Sequence, residues 1–142
     1  MDGLQAFQLG QAALDRGQVD VAIRRLRHAS ETLDDPSGAL FLLGVALRDA
    51  GPSVAHEAVD VLRRSAALAP DQPDVHWVLA DALAECQYTQ SAARSLWRAI
   101  QLEPTRVETY STLARLAANE PSSASASQLA RRAFRAALRL AP

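Results

Sequence analysis

One spacing governs this chain more than any other feature. Leu9-Gly10 recurs as Leu43-Gly44 after 34 residues, as Leu79-Ala80 after 36 more, and as Leu113-Ala114 after a further 34. Three further columns keep the same register: Ala22, Ala58, Ala92, Ala130; then Leu26, Leu62, Leu96, Phe134; then Ala29, Ser65, Ala99, Ala137. Within each unit those three columns fall at i, i+4 and i+7, which is one face of a helix. A period of this length marks an array of supersecondary units rather than a single irregular core. The ending repeats as well, in "VLRRSAALAP", "SLWRAIQLEP" and "AFRAALRLAP".

The small columns have a physical purpose. A Gly or Ala at positions 10, 44, 80 and 114 lets two helix backbones approach closely, and the Ala column of the second helix does the same from the other side. The Leu and Phe column fills the space that remains. Composition agrees, because the apolar residues, 49% of the chain, are mostly Ala and Leu, with few aromatics. That mixture favours helix over strand.

The third unit, "PDVHWVLADALAECQYTQSAARSLWRAIQLEP", carries Leu79, Ala80, Ala92, Leu96, Ala99 and Pro104 in the order of the tetratricopeptide repeat, and the chain resembles that family over nearly its whole length. The first unit fits through Leu9, Gly10, Gly17, Ala22, Leu26 and Ala29. Departures fall where the family has aromatics early in its first helix, here Ala6, Leu40, His76 and Tyr110, and later, here Ala13, Leu47, Leu83 and Ala117. The resemblance implies an all-α, right-handed superhelix of four helix–turn–helix units, with repeats near 3–36, 37–72, 73–106 and 107–142 forming one domain. First helices would line a concave face and second helices a convex one.

Helices are predicted near 3–16, 20–33, 38–50, 54–69, 73–86, 89–102, 106–119 and 125–140. Gly17 and Gly51 stand at turns where a helix end calls for positive φ, and Gln87 and Pro121 take that place later. Two residues are inserted after Gly51 and four after Pro121, both in connections where extra length costs little closure entropy. The Pro-Ser-Ala insertion is expected to be the most mobile segment.

Catalytic chemistry finds little support. His28, His56 and His76 form no metal-ligating pair. His76 holds an aromatic packing place, and Cys86, the single cysteine, reads as a small structural thiol. No phosphate-cradling glycine loop occurs. Asp81 and Glu85 share a helix face, as solvated surface pairs commonly do. The reading is therefore a non-enzyme with no cofactor, no metal and no catalytic residues. A net charge of −1 gives no general attraction to nucleic acid or membranes, and no apolar run is long enough to span a bilayer. With no basic-then-apolar start, a cytoplasmic protein is expected. Arg supplies all fifteen basic residues, which together with the Ala content suggests a bacterial source.

The first helices carry the more informative pattern. One column reads Phe7, Phe41, Trp77, Ser111 and the next Gln8, Leu42, Val78, Thr112; a third reads Gln11, Val45, Asp81, Arg115, and an edge row reads Asp15, Asp49, Glu85, Asn119. Phe7, Gln11, Phe41, Val45, Trp77, Asp81, Glu85 and Arg115 are thus the candidate groove for a protein or peptide ligand. The alternative role for the aromatics is packing against the adjoining repeat. Some members of the family grip acidic C-termini with a basic clamp; the matching places hold Phe7, Gln11, Leu42, Asp74 and Val78, so that clamp is missing.

Arg24, Arg25, Arg27, Arg63, Arg64, Arg94, Arg98, Arg131, Arg132 and Arg135 fall on second helices and read as a solvated outer face rather than a nucleic-acid surface. The sequence stops at Pro142 without a polar capping helix. That suggests either the N-terminal recognition domain of a larger bacterial enzyme, such as a transferase or oxygenase, or self-association through the open edge.

Overall fold

The computed structural model describes residues 1–119 together with 127, 128, 130–132, 135 and 139. Those residues are helical or lie in the short connections between helices. The expected mobile insertion, the turn at Pro121, the column members Phe134 and Ala137, and the edge at Pro142 lie outside the described residues.

Two compact units divide the chain between Pro70 and Asp71. The first holds α1 (Gly3–Asp15), α2 (Val19–Thr32), α3 (Ser37–Ala50) and α4 (Ala55–Leu68). Here α1 packs on α2, α2 on α3 and α3 on α4, while α1 also touches α3. The second unit holds α5 (Pro73–Glu85), α6 (Thr89–Leu102) and α7 (Val107–Asn119), packed α5 on α6 and α6 on α7, with α5 touching α7. Ser127, Gln128, Ala130, Arg131, Arg132, Arg135 and Arg139 are helical as well. Every helix with described bounds begins and ends within about one residue of its expected limits.

The repeat columns form the cores. Leu26, Leu62 and Leu96 are fully buried, as are Ala22, Ala58 and Ala92. Gly10 and Gly44 are buried on α1 and α3. A β-carbon on Gly10 would lie 2.5 Å from Leu26 Cγ, and one on Gly44 would collide with Cγ and Cδ2 of Leu62. The small column is therefore a requirement of contact between paired helices. Ala80 fills the same role on α5 and is fully buried, whereas Ala114, expected to behave alike, is exposed. Ser65 replaces Ala in its column and stays buried because its hydroxyl donates to the Ser37 carbonyl at 2.9 Å. Leu9 departs from its column: it is 46% exposed while Leu43 is 2% exposed, since among the described residues no helix precedes α1 to cover it.

Local chemistry sets the helix limits. Asp2 caps α1, its carboxylate accepting from the Gln5 N–H at 2.7 Å. Asp35 accepts from both the hydroxyl and the N–H of Ser37, at 2.8 and 3.1 Å, and these bonds hold its carboxyl below the ordinary range. Pro73 opens α5, where its missing N–H costs nothing. At the end of α1 the Gln18 N–H reaches the Ala13 carbonyl and Gly17 bonds Leu14, with Gly17 at φ +73°. This double closure is a Schellman turn. After α5 the same two bonds recur, Tyr88 to Leu83 and Gln87 to Ala84, but Gln87 now takes φ +64° with a side chain. Gly51 stands at φ +117°, and the two inserted residues beyond it become part of a 3-10 turn, Pro52–Val54, ahead of α4.

Candidate functional site

In the first unit α1 carries Phe7 and Gln11 and α3 carries Phe41 and Val45. Phe7 is half-buried and packs on the Ala6, Ala29 and Ala39 cluster together with Leu33. Its ring edge lies 3.7 Å from where a β-carbon on Gly38 would stand, in ordinary contact. Glycine at 38 thus leaves a shallow seat beside the ring. Phe41 and Val45 are also half-buried, and Gln11 is exposed.

In the second unit α5 carries Trp77, Asp81 and Glu85 and α7 carries Arg115. Trp77 is half-buried. Its indole N–H donates to Thr112 Oγ1 at 3.1 Å, and the Thr112 hydroxyl donates in turn to the Glu108 carbonyl at 3.0 Å. The Arg106 guanidinium sits over the same indole, 5.7 Å from its centroid, in the range of a cation–π contact. Arg106 also pairs with Asp74 and, at 2.9 Å, with Glu103. Asp81 accepts from Arg115 at 3.0 Å. Glu85 is exposed.

Asp81 and Arg115 are therefore joined across the repeat boundary, and Trp77 crosses it to Thr112. Trp77 to Thr112 spans 35 residues and Asp81 to Arg115 spans 34. Two consequences follow. Asp81 is neutralised by Arg115 of its own column, and the Trp77 ring is held by a bond and a stacked cation. Arg106 was not among the candidates; its local signal in the sequence is Glu103 three residues earlier, while its pairing with Asp74 joins residues far apart in the chain. At the places where a basic clamp would lie, Asp74 is paired with a cation, Val78 is buried and Leu42 is half-buried.

Elsewhere, Tyr110 fills its packing place with its hydroxyl donating to the Pro104 carbonyl at 2.6 Å, and burial raises its pKa above the ordinary phenol value. Among the described residues no group of three or more His, Cys, Asp and Glu side chains is placed to hold a metal ion. No described helix is long and apolar enough to cross a membrane.

On the second helices the outer face is mixed. Arg27 pairs with Glu57 at 2.7 Å and Arg98 with Asp71 at 3.6 Å, both exposed pairs, which contribute little to stability. Trp97 of α6 is half-buried beneath Arg132, whose Cζ lies 4.7 Å from its ring centroid.

Paired helices that recur at a 34- to 36-residue period, with Gly10 against Leu26 and Gly44 against Leu62, define an all-α helix-hairpin repeat protein. Its fold is that of tetratricopeptide-repeat domains. No family model matches the chain, and no curated protein matches it by sequence. Solved structures match in fold. A crystal structure of MamA is similar at TM-score 0.80 and 19% identity, covering 94% of this chain and 77% of that one. The first tetratricopeptide domain of Spaghetti (RPAP3), solved with an HSP90 peptide, is similar at TM-score 0.77 and 16% identity, covering 83% of this chain and 92% of that one. The O-GlcNAc transferase of Thermobaculum terrenum is similar at TM-score 0.71 and 24% identity, covering 94% of this chain and 26% of that one.

Proposed function

We propose that the chain is a protein-interaction module whose first helices bind a peptide or protein segment, using Phe7, Gln11, Phe41, Val45, Trp77, Asp81, Glu85 and Arg115. The observation that carries this reading is the state of the aromatics. Phe7, Phe41 and Trp77 are each half-buried, so part of every ring is available to a ligand. Phe7 is also packed on the Ala6, Ala29 and Ala39 cluster, and Trp77 is held by Thr112 and Arg106. A ring already fixed loses little entropy when a partner covers it. Packing and binding are thus compatible roles for the same side chain. The fold supports the reading, since a domain similar to this chain was solved with a peptide bound. The ligand suited to this surface brings apolar anchors, with polar groups able to meet Asp81, Arg115 and Glu85.

The test compares partners captured by the intact chain and by Phe41→Ala with Trp77→Ala. Loss of a captured protein at unchanged helicity supports the reading. Undiminished capture with only a lower melting temperature makes both rings structural. Because Trp77 is also bonded within its unit, Glu85→Arg serves as a second variant on an exposed position, and it should alter capture without altering melting.

A second reading is favoured by one observation, the similarity to a segment that is about a quarter of the transferase chain. In that case the module serves as the recognition part of a longer enzyme. An open reading frame continuing past Pro142 into a catalytic domain supports it, and a stop codon there removes it.

A further inference from the structure

The outer side of the second unit contains a feature that the proposed peptide surface does not use. A cavity of about 630 Å³ is lined by Trp97 of α6 and by Gln128, Arg131, Arg132, Arg135 and Arg139. At 100° per residue these last five positions fall within roughly one quarter of a helix circumference. All four arginines are exposed, and among the described residues no ion pair engages them; Arg132 is held instead by the indole beneath it. Among the described residues no acidic side chain lines the cavity.

We propose that this cleft binds an acidic helical segment of a partner protein, its carboxylates taken by the arginines and its apolar side by Trp97. Like charges four apart repel on a helix, and Arg131–Arg135 and Arg135–Arg139 are two such pairs with no ion pair among the described residues to relieve them. A bound polyanion removes that repulsion. Geometry selects the kind of anion. Arg131, Arg135 and Arg139 advance about 6 Å per step along the axis, which is the step between glutamates one turn apart on another helix. Planar guanidinium groups take carboxylates in bidentate fashion. The volume lies in the ordinary range of ligand pockets, about 300–1,000 Å³, which suits a few side chains. A nucleic-acid strand is instead followed by an extended basic groove with several stacking aromatics; here a single indole lines the cleft among the described residues, and the chain as a whole carries a net charge of −1.

The experiment uses the full chain and a fluorescent helical peptide with glutamates one turn apart, followed by anisotropy at low and physiological salt. Saturable binding is expected, weakened by salt and reduced about tenfold or more in Arg135→Gln with Arg139→Gln, in line with loss of buried charge-pair anchors. The same peptide with glutamines should not bind. Circular dichroism should show that the double variant keeps its helicity and melts no lower than the parent, since a like-charge repulsion has been removed. Absence of saturable binding, equal binding of the glutamine peptide, or unchanged affinity in the double variant would overturn the proposal. Tighter binding of a single-stranded oligonucleotide of matched charge would overturn it too, and would assign the cleft to nucleic acid.

Discussion

Gly44 faces the side chain of Leu62 at a distance that leaves no room for a β-carbon. The two residues belong to the two helices of one repeat, and Leu62 is fully buried. This contact sets how closely α3 and α4 approach. Gly44→Val should cost about 2 kcal/mol or more through overpacking. Gly44→Ala should cost less, about 1–2 kcal/mol, because the gain in helix propensity offsets only part of the clash. Urea denaturation of the two variants checks the order, and equal stability would mean the helix pair yields freely.

Gln87 takes a backbone conformation that Gly17 takes in the equivalent turn. A side chain there costs roughly 1–2 kcal/mol relative to an unstrained residue. Gln87→Gly should therefore raise stability by about 1 kcal/mol after allowing for the greater freedom of glycine in the unfolded chain. A thermal melt of the variant reads this directly, and a fall in melting temperature would show that the Gln87 side chain contributes more than its backbone strain costs.

Thr109 lies fully buried on α7, and its hydroxyl has no hydrogen-bond partner among the described residues. The preceding repeat holds Val75 in that column. Thr109→Val keeps the shape and removes a desolvated polar atom, so a gain of about 1 kcal/mol is expected. Chemical denaturation provides the measurement; destabilisation would reveal a partner for that hydroxyl.

The two bonds that cross from α5 to α7 should differ in weight. Trp77→Phe removes the donor to Thr112, which is buried, and should cost about 1–2 kcal/mol. Arg115→Ala breaks a pair in which the arginine is 62% exposed, so its cost should stay below about 1 kcal/mol. Parallel melts of both variants decide it, with the reverse order counting against the assignment.

Much of the architecture could be read from the sequence, because the contacts that build it involve residue types with few substitutes. Only Gly fits the approach of Leu26 and Leu62 without a shift, and Ala80 holds the equivalent buried place on α5, so positions 10, 44 and 80 announce the helix pairs. Turns with positive φ announce the helix ends at Gly17 and Gly51. The 3-10 turn at Pro52–Val54 was visible only as extra length, since two added residues have several ways to fold. The candidate surface was less legible. Phe7 and Trp77 share a column, yet one packs on an apolar cluster while the other is bonded to Thr112 and stacked on Arg106. Position in a repeat places a ring but does not name its neighbour. The arginine face met the same limit, because the spacing of Arg131, Arg135 and Arg139 says that they are aligned but not that Trp97 lies opposite.

The bonds from Trp77 to Thr112 and from Asp81 to Arg115 make the third and fourth repeats a matched pair rather than two copies of one part. A donor on one is answered only by a hydroxyl on the other, and in the first repeat the places of Trp77 and Asp81 hold Phe7 and Gln11. An array of identical hairpins could dock any copy against any other, and so could misassemble within a chain or exchange parts between chains. Individual pairings act as addresses that tell each hairpin which neighbour is its own. Shuffling or duplicating a repeat here would preserve every helix and still lose those addresses.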